Sequence, residues 1–170
     1  VIMLTKLWGV VCYGISALET EIEVNIADKG FPGLTIVGLM SKSADEAKER
    51  IKTAIYNSEI EFPMAKITVN LAPADITKDG ASYDLAIAIG ILMSSGEIPA
   101  SKDKSYMFGE LALSGDTRHT KGVFLLATKA KEEGVKSIFV PRLCANEAAT
   151  VGGVDVYPVD SLKCLIKHLR

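Results

Sequence analysis

The sequence predicts a sheet with helices packed on it, an α/β or α+β sandwich. Three observations carry that prediction. Residues 18–28 alternate apolar and polar side chains with a period of two. Residues 41–58 repeat apolar side chains at helical spacing. The second half of the chain alternates short branched strands with helical segments. At 170 residues, 48% of them hydrophobic, the chain is long enough for one core and short for two. It reads as one domain, from Met3 to Arg170.

The elements follow in order. Leu4–Tyr13 is apolar and branched, a strand. After a turn at Gly14, Leu18–Asp28 sets Thr20, Ile22, Val24 and Ile26 against Glu19, Glu21, Glu23 and Asn25, a strand with one dry and one wet face. The two are most simply antiparallel. Gly30, Pro32 and Gly33 break the chain before a third strand at Thr35–Leu39. In Ser41–Ser58 the residues Ala44, Ala47, Ile51, Ala54, Ile55 and Ser58 share one helical face, with Ser41 or Ser43 as the expected cap and Glu46–Arg50 as an i,i+4 pair.

Lys66–Pro73 is a strand between prolines, and Asp84–Ser95 is so uniformly apolar that it reads as a buried helix. Gly90 costs such a helix ~1 kcal/mol unless close packing requires the missing side chain. Tyr106–Asp116 reads as two short strands around Gly109. Gly122–Glu133 is a helix, Ser137–Pro141 a strand, Ala145–Ala149 a short helix, Val154–Val159 a strand and Leu162–Leu169 a terminal helix.

Composition narrows the function. A formal net charge of −2 is unlike that of a free-standing nucleic-acid binder, although a local basic patch can hide in a neutral total. Cys12, Cys144 and Cys164 are odd in number and widely spaced, as expected of reduced thiols. No apolar run reaches the ~20 residues that span a bilayer, and the start lacks the features of a signal peptide. These features predict a cytoplasmic protein without membrane association.

Phosphate loops and dinucleotide fingerprints need glycines at fixed spacing before a helix, and none is present. His119 and His168 lie far apart, and Asp75, Asp79 and Asp84 do not match a calcium loop, so no metal is expected. The stretch TKDGASYD (Thr77–Asp84) is the best catalytic candidate. A serine nucleophile needs a base in hydrogen-bond reach. Lys78 lies in a turn that reads as wet, where a lysine stays protonated. A cap explains the residues more simply: Asp79 and Gly80 turn the chain, Ser82 accepts a free helix amide, and Asp84 sits in the positive first turn. Lys78 and the loop residues Arg118, His119 and Lys121 are candidate phosphate contacts, set against an ordinary solvated surface.

Several segments together carry a family resemblance: FPGLTIVGL (Phe31–Leu39), KERIKTAIYNS (Lys48–Ser58), ITVNLAPADITKDGASYDLAIAIGIL (Ile67–Leu92), GELALSGDTRHTKGV (Gly109–Val123) and IFVP (Ile138–Pro141). They resemble the N-terminal domain of the magnesium-chelatase-like, ComM/YifB type of bacterial AAA+ protein, over nearly the whole chain. The resemblance implies an α+β, two-layer sandwich of the ribosomal-protein-S5 domain-2-like fold, similar to the proteolytic domain of Lon, with a mixed sheet and helices packed on one face. It implies an AAA+ module outside this chain that binds ATP and Mg2+, and no cofactor within it. It also implies a hexamer acting as a DNA branch-migration motor of the competence type, with single- or double-stranded DNA as a partner.

The Lon serine lies in a Lys-Asp-Gly-Pro-Ser stretch. Lys78-Asp79-Gly80-Ala81-Ser82 resembles it, which puts Ser82 on the nucleophile position. Carried over residue by residue, the partner lysine lands on Leu126, which cannot accept a proton. Lys121 and Lys129 are close in sequence but turned away along the helix. The resemblance therefore implies a non-catalytic accessory domain making subunit or DNA contacts. The alternative is a residual peptidase in which Ser82 works with Lys121, Lys129 or Lys78.

Overall fold

The alternation in residues 18–28 becomes an interior strand of a seven-stranded sheet. In this computed structural model, which describes residues 3–78 and 80–170, β1 (Met3–Tyr13) and β2 (Ser16–Ala27) form an antiparallel hairpin in register from Met3↔Ile26 to Tyr13↔Ser16. Gly14 turns the hairpin at φ +60°, where a side chain would be strained. β4 (Lys66–Ala72) adds antiparallel to β2, and β3 (Gly33–Val37) adds parallel to β4 at the edge. On the other side β1 is followed by β5 (Ser105–Met107), β8 (Ser137–Pro141) and β9 (Asp155–Val159), all parallel. The order is β3-β4-β2-β1-β5-β8-β9, a mixed sheet as expected. β6 (Glu110–Leu111) and β7 (Thr117–Arg118) form a separate small ribbon.

The helices arise from the predicted patterns. α1 (Ser41–Asn57) buries Ala44, Ala47, Ile51, Ala54 and Ile55, and Ser58 follows them into the core. No side-chain hydrogen bond caps its start. Met40 holds the cap position, and its carbonyl takes the amide of Ala44, so neither Ser41 nor Ser43 plays the expected role. α2 (Asp84–Ser94) is buried at every position, because it packs on β1 and β2 and α1 packs against it. Gly90 is the residue that permits this. A Cβ there would lie 2.7 Å from Val24 Cγ2 and 2.8 Å from Leu7 Cδ1.

One expectation needs correction. α1, α2 and α5 (Leu162–Leu169) pack on one face, in the core of Leu7, Ile22, Val24, Ile67 and Phe139. α3 (Val123–Glu132) and α4 (Ala145–Ala149) instead join Val10, Tyr106, Ile138 and Val140 in a second core. Successive strand residues point to opposite faces. Ile138 and Val140 therefore face away from Phe139, and the helices cover both faces rather than one. The buried run of β8 required this, since a strand that is apolar on both sides needs cover on both. The two short strands expected around Gly109 are β5 and β6, whereas β7 and a 3-10 turn at Arg142–Cys144 have no counterpart in the sequence prediction.

Candidate functional site

The loop between β4 and α2 carries the residues singled out above. Lys78 has no exposed surface, contrary to the wet turn expected. Its ammonium donates to the carbonyl oxygens of Pro73 and of Ile76, the second at 2.8 Å. Burial pushes its pKa down, against the field of Asp75. A buried amine held on the protein's own carbonyls cannot reach a phosphate, so Lys78 leaves the set of candidate nucleic-acid contacts. Gly80 follows at φ +84°. Asp79, expected in the same turn, lies outside the described residues.

Ser82 is half-buried and does not cap α2. The amide of Asp84 donates to the carbonyl of Ala81 at 3.1 Å, and that of Leu85 to the carbonyl of Gly109 at 3.0 Å. With both amides taken, the Ser82 hydroxyl has no cap to make. Its own carbonyl accepts the amide of Gly109 at 2.8 Å, which ties the serine turn to the segment entering β6.

Asp84 sits in the first helical turn, as expected, but as a buried anchor rather than a solvated charge. It is 1% exposed. Its carboxylate takes two bonds from Arg50, Nε to Oδ2 at 2.7 Å and Nη2 to Oδ1 at 3.2 Å, and a third from the Leu111 amide at 3.2 Å. Burial pushes this carboxyl up, to about 6, while Arg50 and the Leu111 amide hold it down. The pair joins α1, α2 and β6. The sequence suggested only the local Glu46–Arg50 contact, which is present at 4.0 Å and is the weaker one. Residues 34 apart in sequence leave no periodic signal of their meeting.

Ser82, Thr77 and Gly80 line one wall of a cleft of about 540 Å3. Cys12, Phe108, Glu110, His119 and Lys121 are among the residues that line the rest. The structure thus brings four sequence candidates together: the turn residue Gly80 with Ser82, His119 and Lys121. Cys12 and Glu110 were not anticipated in this cleft. Cys12 sits near the end of β1 beside Gly122, where a Cβ would come 2.9 Å from its Sγ.

Leu126 is fully buried in the second apolar core. Lys129 is held by Glu133 at 2.8 Å, and that bond raises its pKa. Among the described residues no lysine donates a hydrogen bond to the Ser82 hydroxyl; the ammonium groups of Lys78 and Lys129 point to the partners named above.

Arg118, at the end of β7, and His119 and Lys121, on the β7–α3 loop, are exposed, and Arg118 stands opposite Glu110 in the small ribbon. Among the described residues no group of three or more His, Cys, Asp or Glu side chains gathers as a metal site, and no helix is long and apolar enough to cross a membrane.

The sequence of the chain is similar to those of several bacterial proteins. The chain is 41% identical over 158 residues to the uncharacterized protein YifB of Escherichia coli, a match that covers 92% of this chain and 31% of that protein. It is 39% identical to the competence protein ComM of Haemophilus influenzae, with the same coverage. A Lon protease of Ureaplasma parvum is 29% identical over 158 residues, covering 86% of this chain and 20% of that one. The chain therefore spans about a third of the length of the YifB and ComM proteins it matches. Residues 22–143 match the profile of the family described as subunit ChlI of Mg-chelatase, and the chain belongs to that family.

Proposed function

We propose that this chain is a non-catalytic accessory domain of a bacterial AAA+ ATPase, a DNA motor of the competence type, and that it contributes subunit or DNA contacts. The observation that carries the reading is Leu126. It is fully buried among apolar side chains where the Lon-like pattern has a lysine. A leucine neither takes a proton from Ser82 nor holds it in a reactive state.

The serine turn keeps its shape without that partner. It is tied to Gly109 and, through Asp84, to Arg50. ATP and Mg2+ belong to the parent protein's AAA+ module. The residues of this chain contain no phosphate loop, and no step of its action runs through the nucleotide. The match to a competence protein supports the motor, and the exposed Arg118, His119 and Lys121 are the groups here suited to a DNA backbone. The setting is the cytoplasm, and a hexamer is the expected assembly.

One observation favours a second reading. Lys121 lines the same cleft as Ser82, so a residual serine–lysine peptidase has both groups within one cavity. Hydrolysis of casein and of fluorogenic peptides by the purified chain separates the two. The accessory-domain reading expects no turnover above a Ser82→Ala control. Turnover that disappears in Ser82→Ala and falls in Lys121→Ala would establish the peptidase.

A further inference from the structure

Lys78 is the one fully buried side chain in the core whose ordinary state is a cation and whose hydrogen bonds all go to main-chain carbonyls among the described residues. Taking an ammonium out of water costs several kcal/mol unless polar atoms replace the lost hydration. Here the carbonyl oxygens of Pro73 and Ile76 do so.

The backbone of Lys78 makes a further junction. Its carbonyl accepts the amide of Met40 at 3.4 Å, and it bridges to Leu39 in parallel sense. The chain leaving β3, the turn leaving β4 and the loop entering α2 therefore converge on one residue. The crossing is tight: at Gly38, φ +99°, a Cβ would lie 2.4 Å from the Leu71 carbonyl oxygen. Thr77, Gly80, Ala81 and Ser82, immediately around Lys78, line the cleft.

We propose that the Lys78 ammonium is a built-in cation that closes the 73–78 turn on its own carbonyls and thereby fixes the wall of the cleft that carries Ser82. Lys78 is a positioning residue, and its role holds whether or not Ser82 is catalytic. The chemistry predicts what the site accepts once the side chain is gone. Lys78→Ala leaves carbonyl oxygens facing a slot of the length of three methylenes and an amine, which n-propylammonium matches. Sodium lacks the stem, and n-propanol lacks the charge.

The test uses Lys78→Ala and Lys78→Met, read by amide exchange at Met40 and Gly109 and by the alkylation rate of Cys12, which lines the same cleft. Lys78→Ala is expected to speed exchange at both amides about tenfold or more and to change Cys12 alkylation several-fold. Lys78→Met, which keeps the stem without the charge, is expected to behave likewise. Millimolar n-propylammonium restores Lys78→Ala towards the wild type, and n-propanol or sodium at equal concentration does not. If Lys78→Ala folds poorly, the same amine is added during refolding, and recovery is the expected result. Wild-type exchange in Lys78→Met, or no recovery of Lys78→Ala with the amine, overturns the proposal.

Discussion

Asp84 is where local pattern and tertiary role part. The sequence places it correctly in the first turn of α2 but gives no sign that Arg50 reaches it from α1. The charge sits there because three donors converge on it: two from the guanidinium and one from the Leu111 amide. Breaking a buried pair by removing one partner typically costs ~3–5 kcal/mol, so Arg50→Met is expected to destabilise the chain by about 3 kcal/mol in urea unfolding, given that Arg50 retains some exposure.

The pH dependence follows from the direction of the shift. Asp84 titrates at about 6 in the folded chain against an ordinary 3.8, so the folded state binds this proton more tightly. Its contribution to stability is full below pH 4 and is lost as the pH rises through about 6. Asp84→Asn, compared with the wild type across pH 4–7, is therefore expected to remove a falling component of the stability curve. A wild-type-minus-variant difference that is flat over that range would contradict the assignment.

At the scale of the element, most of the fold was legible. The face Ala44, Ala47, Ile51, Ala54, Ile55 is the buried face of α1, and the alternation of β2 is the alternation of its burial. Such signals are read because a period of 3.6 or 2 survives in the sequence whatever the neighbours are.

Two things were not legible. The caps failed at α1 and α2, where main-chain carbonyls took the amides of Ala44, Asp84 and Leu85 that Ser41 and Ser82 were expected to take. The face of the sheet on which α3 packs depends on the register between distant strands, which no window of sequence contains. Where a cap does form, at Ser161 on Cys164 of α5, the bond is 3.2 Å, and Ser161→Ala is expected to cost ~1 kcal/mol. Gly90→Ala is the sharper test of packing. Helix propensity alone would make it stabilising, whereas contact with Val24 and Leu7 makes it destabilising by ~1–3 kcal/mol, measured as a drop in the urea midpoint.

At the scale of the whole molecule, the cleft gathers residues from the β1 end, the β4–α2 loop and the β7–α3 loop. Ser82, His119 and Lys121 were visible in the sequence as candidates, but only the fold brings them to one cavity. Lys78, equally visible, turns out to be internal. The loop of Arg118, His119 and Lys121 leads to a prediction for the full-length protein. On the proposed DNA-contact role, Arg118→Glu with Lys121→Glu should weaken DNA binding and reduce the magnitude of its salt dependence by about one unit of slope per lost phosphate contact. Lys78→Arg should leave the salt dependence unchanged, because that side chain is enclosed. Binding curves of the double variant that coincide with the wild type at all salt concentrations would exclude this loop from the DNA path.

The proposed non-catalytic role rests on Ser82 having no base to activate it. The most direct measurement is the covalent labelling of the purified chain by a fluorophosphonate probe, with intact-mass detection and Ser82→Ala as the control. The proposed reading predicts no adduct on the wild type beyond that on Ser82→Ala, because Leu126 is buried in apolar surroundings and, among the described residues, no lysine donates a hydrogen bond to the Ser82 hydroxyl. Stoichiometric modification of the wild type that vanishes in Ser82→Ala would contradict it.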